Sequence, residues 1–412
     1  MMMFRFIALA LLLSSATNSL AVDNWQLSGF ATFAVNKLNR PNLYLGATED
    51  KWGADSDSKL GLQLQGNLLD RLSFTAQVVS SGLEFYGKEA YEPELSWLFL
   101  SYQIDTNTRV RLGRMRASNY LYSETQDIGY SYIWVRPPLE VYPYIYRPLS
   151  DMDGFDISHT WDLSERFELN SQLFVGRREG NLSDKIKTQL TPSFGGNFSL
   201  QGRDFLIRYS LHLSETSVQL VDLIPLSLAL EQAYLFAGDP LFKALSETLY
   251  ASDKRSIYQA LGVQWDFGNW SLVSETYSVE NAKSGYAYDT DGWYVSLGYH
   301  WGNITPYAVL AQYDSVVNEH LKDDLSQALQ DYNASPTLFS LLARVDAVYR
   351  YLGACQRSHS AGVRWDFAPD FALTAELQYF EFLNGTAGQS ISITRPAPTS
   401  TTLINIAVDW VF

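Results

Sequence analysis

The sequence predicts an all-β protein: a transmembrane antiparallel barrel of sixteen strands, with short turns on one rim and long loops on the other. Three observations carry this reading. Ile404, Ile406, Val408, Trp410 and Phe412 alternate along the last nine residues, so five apolar side chains share one face of a terminal strand. Residues 1–21 read as an export signal. Between the two ends lie segments with one apolar and one wet face, joined by connections that alternate short and long.

In the leader, Arg5 supplies the charged start, Phe6 to Leu13 the apolar core, and Ser19 and Ala21 the small residues before a cut ahead of Val22. A retained helix would need about 20 apolar residues, and this run is shorter. The expected mature chain, 22–412, reads as a single barrel domain, because no Pro/Gly/Ser linker or composition break divides it. The formal charge of −15, made more negative by loss of Arg5, argues against a nucleic-acid partner, which needs a basic face. One cysteine, Cys355, excludes an internal disulfide and a Cys-based metal cluster, and reads as a half-buried loop thiol. No metal or cofactor is expected.

The strand segments fall near 25–36, 57–67, 71–79, 94–104, 108–116, 152–161, 166–176, 188–200, 203–214, 255–267, 269–280, 290–300, 304–314, 356–368, 371–381 and 400–412. Each has about the length of a tilted crossing, and the number is even. Leu60, Leu62 and Leu64 oppose Lys59, Gln63 and Gln65; Leu72, Phe74, Ala76 and Val78 oppose Arg71, Ser73, Thr75 and Gln77. The ninth sets Phe205, Ile207, Tyr209, Leu211 and Leu213 against Arg208, Ser210 and His212; the fifteenth sets Phe371, Leu373, Ala375, Leu377 and Tyr379 against Thr374, Glu376 and Gln378. Sixteen strands closed into a ring enclose water, so Lys59, Arg71, Arg208, Glu275, Arg364 and Glu376 are expected to line the lumen.

Short connections at 68–70, 105–107, 162–165, 201–202, 268, 301–303 and 368–370 alternate with long ones at 37–56, 80–93, 117–151, 177–187, 215–254, 281–289, 315–355 and 382–399. This is the periplasmic and extracellular asymmetry of an outer-membrane barrel. Aromatics gather beside the short turns: Trp161 with Phe167, Trp265 and Phe267 with Trp270, Tyr299 with Trp301, Trp365 and Phe367 with Phe371, and Trp25 near Trp410 and Phe412. Amphipathic rings favour the headgroup level, so these form a periplasmic girdle, with Trp410 and Phe412 as the membrane-insertion signature. A soluble sandwich also alternates, but it does not gather its rings beside every second turn.

The chain resembles the Gram-negative general porin family of trimeric sixteen-stranded diffusion channels. The resemblance rests on Val408-Asp409-Trp410-Val411-Phe412, on Gly362-Val363-Arg364-Trp365-Asp366-Phe367 followed by Ala372-Leu373, on Gly292-Trp293-Tyr294-Val295 to Gly298-Tyr299 with Thr305-Pro306-Tyr307, and on Leu112-Gly113-Arg114 before a long third loop. Their order along the chain carries more weight than any one of them. It implies a homotrimer in the outer membrane, surrounded by lipid and lipopolysaccharide, passing small hydrophilic solutes and ions by passive diffusion. It departs from the family pattern at Thr374, where many members carry Lys, and in the length of loops 215–254 and 315–355. Leu321, Leu325, Ala328 and Leu329, then Leu338, Leu341, Leu342 and Val345, have helical spacing around Pro336 and predict a helical hairpin at the mouth, self-packed or offering a docking surface.

The resemblance also implies that loop 117–151 folds into the lumen and narrows it. The loop is dense in Tyr120, Tyr122, Tyr130, Tyr132, Trp134, Tyr142, Tyr144 and Tyr146, whose rings would pack on the wall with their hydroxyls wet. The expected constriction comprises Arg109, Arg111, Arg114 and Arg116 facing Tyr120, Glu124, Asp127, Arg136 and Glu140, setting a field across a poorly screened channel. Alternation turns Arg114 and Arg116 toward lipid, so a bulge at Gly113 is expected to return them to the lumen. A weak anion preference follows, although arginines that only pin the loop are an alternative for each residue.

An enzyme is the rival class. His159, His212, His300, His320 and His359 have no recognisable Ser or acid partner pattern, and His159 falls outward near the girdle. Asp289-Thr290-Asp291-Gly292 lacks the later ligands of a calcium loop and reads as a turn. No catalytic residue is expected. A channel selective for one sugar, peptide or anion is the other alternative to a general pore.

Overall fold

The computed structural model describes residues 24–412 except 47, 84–88, 184–185, 282–287, 318 and 393–396; the expected export signal lies outside the described residues. Sixteen strands close into one antiparallel barrel in sequence order. They are β1 (Trp25–Leu38), β2 (Lys59–Leu69), β3 (Leu72–Ser81), β4 (Glu94–Gln103), β5 (Thr108–Arg116), β6 (Asp151–Ser164), β7 (Phe167–Ser183), β8 (Ile186–Gln201), β9 (Phe205–Leu220), β10 (Tyr250–Phe267), β11 (Trp270–Asn281), β12 (Tyr288–Tyr299), β13 (Ile304–Val317), β14 (Ala354–Ala368), β15 (Phe371–Phe382) and β16 (Ser400–Val411). The ends meet from Phe30–Val411 to Leu38–Leu403, and Gly29 N donates to the Phe412 carbonyl at 2.8 Å. Closure leaves no unpaired edge, the condition for crossing a bilayer with strands.

Period-2 alternation decides which side meets lipid. Leu64, Leu98, Leu100, Leu112, Leu173, Leu261, Leu310, Leu377, Ile404 and Ile406 all face out and are exposed, a band too broad for a protein in water. Thr75, Gln77, Ser101, Asn197, Ser199, Thr374 and Gln378 face in. The aromatic girdle stands where the short turns predict it: Trp161, Phe167, Trp265, Phe267, Trp270, Trp301, Trp365 and Phe367 are exposed, and Trp410 stacks between Phe371 at 5.6 Å and Phe412 at 4.3 Å.

Four expectations change on the long-loop rim. The connection expected at 177–187 is mostly strand, because β7 runs to Ser183 and β8 starts at Ile186. Asp289 to Gly292 lies inside β12 instead of forming a turn. Cys355 is buried on the second residue of β14, opposite Asp314, and is no loop thiol. The hairpin expected around Pro336 is present as α3 (Glu319–Asp331) and α4 (Pro336–Leu352), but it packs on a second hairpin inside 215–254, α1 (Ile224–Ala237) and α2 (Pro240–Leu249). Pro225 opens α1, and Gly238 ends it at φ 72°, where its N–H returns to Tyr234 O at 2.8 Å. Leu226, Leu230, Phe242, Leu245, Leu342 and Val345 form their common core, to which Tyr288 of β12 adds its ring.

Candidate pore constriction

Residues 117–150 cross the barrel from β5 to the opposite wall and return to β6. Polar wall residues hold the main chain on the way in. Tyr258 of β10 donates to Asn119 O at 3.2 Å, Arg208 of β9 to Tyr120 O at 3.0 Å, and Glu275 of β11 accepts the Leu121 N–H at 2.7 Å. On the far side Lys59 of β2 donates to Gln126 O at 3.3 Å, and Arg364 of β14 to Tyr130 O at 3.0 Å and to Tyr132 O. Gly129 is pressed so closely onto β16 that a Cβ there would meet the Asp409 carboxylate.

The return path is held by side chains. Trp134 Nε1 donates to Ser296 Oγ at 2.9 Å, Arg136 pairs with Asp57, Gln356 donates to Glu140 at 2.8 Å, and Tyr142 donates to Glu275. The rings of Tyr132 and Trp134 and the side chain of Val141 are buried among Tyr277, Tyr294, Tyr307, Val309 and Tyr313 of the inner wall. The expectation of rings with wet hydroxyls is corrected for Tyr132 and Trp134, which are buried because the wall strands β10–β13 also turn aromatics inward, whereas Tyr120, Tyr122, Tyr130, Tyr142 and Tyr144 stay partly exposed. Apolar burial of this kind is the main force holding the loop inside.

The nine expected constriction residues separate into three groups. Arg109 is exposed on the inner wall. Arg111 lies beside it, 7% exposed, held by Asp156 at 2.7 Å and by Glu124 at 3.3 Å, while Glu124 stays nearly half exposed at the loop edge. Asp156, buried at 0% and also held by Gln172 at 2.8 Å, is a member that sequence reasoning missed. Its inward parity on β6 could have identified it.

The second group pins the loop. Arg116 donates to Asp127 at 2.7 Å and to Ser150 at 2.8 Å, and lies 3.1 Å from Asp151, and Arg147 adds a second bond to Asp127 at 2.7 Å. Arg136, Asp127 and Glu140 are buried. Tyr120 packs on Tyr142, with ring centroids 4.6 Å apart. Burial alone would raise the Asp127 carboxyl, but Arg147, Arg116 and Lys59 outweigh it and hold it well below the usual range.

Arg114 is the third case, and a correction. No bulge occurs at Gly113: Leu98–Arg114 through Gln103–Arg109 stay in register with β4, and Arg109 through Arg116 stay in register with β6. Arg114 therefore shares the outer face with Leu98 and Leu112, where Asp153 of β6 neutralises it through bonds of 2.7 and 2.8 Å. Gly113 has φ +137°, and a Cβ there would lie 2.2 Å from Leu98 O, so the glycine permits close strand approach and adds no residue. Only Arg116, at the strand end, turns inward.

Five of the six expected lumen residues, Lys59, Arg208, Glu275, Arg364 and Glu376, lie on the inner side, and four of them serve the loop: Lys59, Arg208, Glu275 and Arg364 anchor it as above. Glu376 accepts from Tyr307 at 3.0 Å and Asn405 at 3.1 Å, and Arg71 sits on the short-turn rim, donating to Ile104 O at 3.1 Å. The wall that the loop leaves uncovered carries Gln63, Arg109, Ser158, Asn170 and Gln172, each at least partly exposed. Above the loop is a cavity of about 820 Å³ that Lys59, Arg136, Arg178 and His212 help to line, with Ala347 and Leu352 of α4 at its upper edge.

Glu140 supplies a pH handle. Its burial pushes the carboxyl up, against opposing hydrogen bonds from Ser358 and Gln356 and the charge of Arg136. A raised folded-state pKa contributes stability that is fully present below the free value of about 4.3 and is lost as pH rises through the folded value. The loop should thus dock more tightly in acid. Asp127, held far lower, stays charged throughout that window. Glu140→Gln is expected to flatten the pH dependence of channel noise between pH 4 and 8; an unaltered profile in the variant would assign the response elsewhere.

No protein-family model matches the chain, and no curated protein matches it. Solved structures do. The anion-selective porin from Comamonas acidovorans is similar with a TM-score of 0.57 at 13% identity, over 94% of this chain and 99% of that one. OprB of Pseudomonas putida gives 0.57 at 11%, over 97% of each chain, and OmpF of Salmonella typhi, solved with daunomycin, gives 0.54 at 11%, over 94% and 98%. Likeness at these identities is likeness of fold.

Proposed function

We propose that this chain, which has the sixteen-stranded porin fold, is an outer-membrane porin of a Gram-negative bacterium. Small hydrophilic solutes and ions diffuse passively between loop 117–150 and the uncovered wall of Gln63, Arg109, Ser158 and Gln172. The inserted loop is the observation that carries this reading: it is bonded to β2, β9, β10, β11, β12 and β14 and leaves one side of the lumen polar and partly exposed. Export by a cleaved leader, assembly as a homotrimer and contact with lipopolysaccharide belong to the same proposal. A channel is favoured over a barrel enzyme because the buried charged clusters in the lumen are engaged in holding the loop. His159 faces out against Trp161 with ring centroids 4.3 Å apart and meets Thr108 Oγ1 at 2.8 Å, and His300, between Tyr299 and Trp301 of the girdle, meets Thr305 Oγ1 at 3.1 Å.

At the narrowing Arg109 and Arg111 stand beside Glu124 and Asp156, and the exposure of Arg109 to the lumen supports a weak anion preference. Protein reconstituted into planar bilayers should carry ohmic current, and its reversal potential in a salt gradient should report that preference. Removing Arg111 changes the energy of an ion about 6 Å away by about 3 kcal/mol at an effective dielectric near 20, before screening. Arg111→Ser should accordingly move the permeability ratio severalfold toward cations, whereas Arg114→Ser, on the lipid face, should not. Absence of ohmic current would defeat the channel reading, and equal shifts in both variants would defeat this placement of the constriction.

A further inference from the structure

On the inner wall above the loop, β7, β8 and β9 hold a group of side chains that loop anchoring leaves largely unused. Arg178 is 4% exposed, and among the described residues its guanidinium meets only neutral acceptors: Asn119 Oδ1 at 3.3 Å and His212 Nδ1 at 3.2 Å. An arginine only donates, so Nδ1 accepts and the His212 proton is assigned to Nε2. That Nε2, together with Arg178 Nε, Thr188 Oγ1 and Ser193 Oγ, is buried without a partner among the described residues. Arg178, His212, Thr188 and Ser193 are each more than nine-tenths buried, and all four line the cavity of about 820 Å³.

The sheet brings Arg178, Ser193 and His212 together. Arg178 pairs with Leu190, two residues from Thr188 and three from Ser193; Ser193 pairs with Ser214, two residues from His212. Neighbouring strands lie about 4.8 Å apart and residues rise about 3.3 Å along each, so Ser193 lies between Arg178 and His212 on one face, whereas Thr188, five residues from Ser193, lies roughly 15 Å from it toward the rim. Phe174 supports them from below, 5.8 Å from the guanidinium and 4.7 Å from the imidazole.

Three of the free polar atoms, Arg178 Nε, His212 Nε2 and Ser193 Oγ, present guanidinium N–H, imidazole N–H and hydroxyl donors around one full positive charge taken out of water. The carboxylate that acts on it, Asp151, already pairs with Arg116; a buried guanidinium short of counter-charge is strongly unfavourable, and its complement is a compact anion with several acceptor lone pairs. A neutral sugar would need acceptors as well as donors. We propose that Arg178, His212 and Ser193 form a binding site for a small oxyanion, a carboxylate or inorganic phosphate, on the vestibule wall above the constriction. This deepens the channel reading and rests on it: a site at the mouth raises the local concentration of solutes bearing that group and gives their flux a saturable component.

Calorimetric titration of the folded full-length protein in detergent, with sodium phosphate and separately sodium acetate at constant chloride and ionic strength, tests the site without requiring conduction. Saturable binding of either is expected, and the tighter one identifies the headgroup. Arg178→Gln should weaken it about tenfold or more and Ser193→Ala severalfold. Arg177→Gln, which removes the same charge from the exposed outer face, should leave it unchanged. No saturable binding of either anion to wild type, or binding that survives Arg178→Gln, overturns the proposal. Folding of each variant is checked by heat-shifted gel mobility; where Arg178→Gln does not fold, unchanged binding in Ser193→Ala overturns it. Loss of ohmic current in bilayers would strike the channel reading and leave the calorimetric result standing.

Discussion

Trp134→Ala is expected to raise single-channel conductance and gating noise more than any other single substitution in the inserted loop. Trp134 is 1% exposed, donates to Ser296 across the lumen, and is packed by Tyr122 at 5.6 Å, Tyr132 at 6.0 Å and Tyr294 at 5.5 Å between centroids. Truncating a buried tryptophan costs about 3–5 kcal/mol, and here the loss falls on docking of the loop, since the strand ladder uses none of those contacts. The barrel should still form and show its heat-shifted mobility. The loop would remain tied by Arg208 and Glu275 at Tyr120 and Leu121 and by Arg364 at Tyr130 and Tyr132, so the segment that follows Tyr132 would swing and the gap would widen. Bilayer recordings with wild-type conductance and noise would show that Trp134 does not hold the constriction.

Much of the architecture was legible because it depends on two local quantities, side-chain parity and connection length. Leu60 against Lys59 and Leu377 against Glu376 declare their faces within a few residues, and the terminal Trp410 and Phe412 lie on the face their spacing requires. Helices α1 and α2 were not expected from the sequence, although Pro225 and Gly238 frame the first of them. The errors lie where distant partners decide. Arg114 invites a bulge only if Asp153 is out of view; with that carboxylate opposite it on the next strand, plain parity holds and the lipid-facing charge is neutralised. The rings of Tyr132 and Trp134 looked half wet because the aromatics that cover them, Tyr277, Tyr294 and Tyr307, come from strands more than 120 residues further on. Asp57 and Asp156, the counter-charges of Arg136 and Arg111, lie outside the loop and could be assigned only by folding it onto the wall.

Asp156→Ala is the second large expected effect, and it separates pairing from packing. Arg111 and Asp156 are both buried and joined by three contacts of 2.7, 2.9 and 3.2 Å, with Glu124 as a weaker, half-exposed partner. Removing one member of a buried pair leaves the other charged in a poor dielectric, a loss of about 3–5 kcal/mol, whereas replacing both with apolar residues is often neutral. Thermal unfolding followed by gel mobility should thus show Asp156→Ala well below wild type and the double variant Arg111→Met/Asp156→Leu restored toward it. Selectivity should behave differently. Asp156→Ala deletes a negative charge beside Arg111 and Arg109 and should shift permeability toward anions, while the double variant, which removes one charge of each sign, should return it near the starting ratio. If Asp156→Ala were as stable as wild type and kept its ion preference, Arg111 would be drawing its compensation from Glu124 and water, and the wall of the constriction would be wetter than its burial implies.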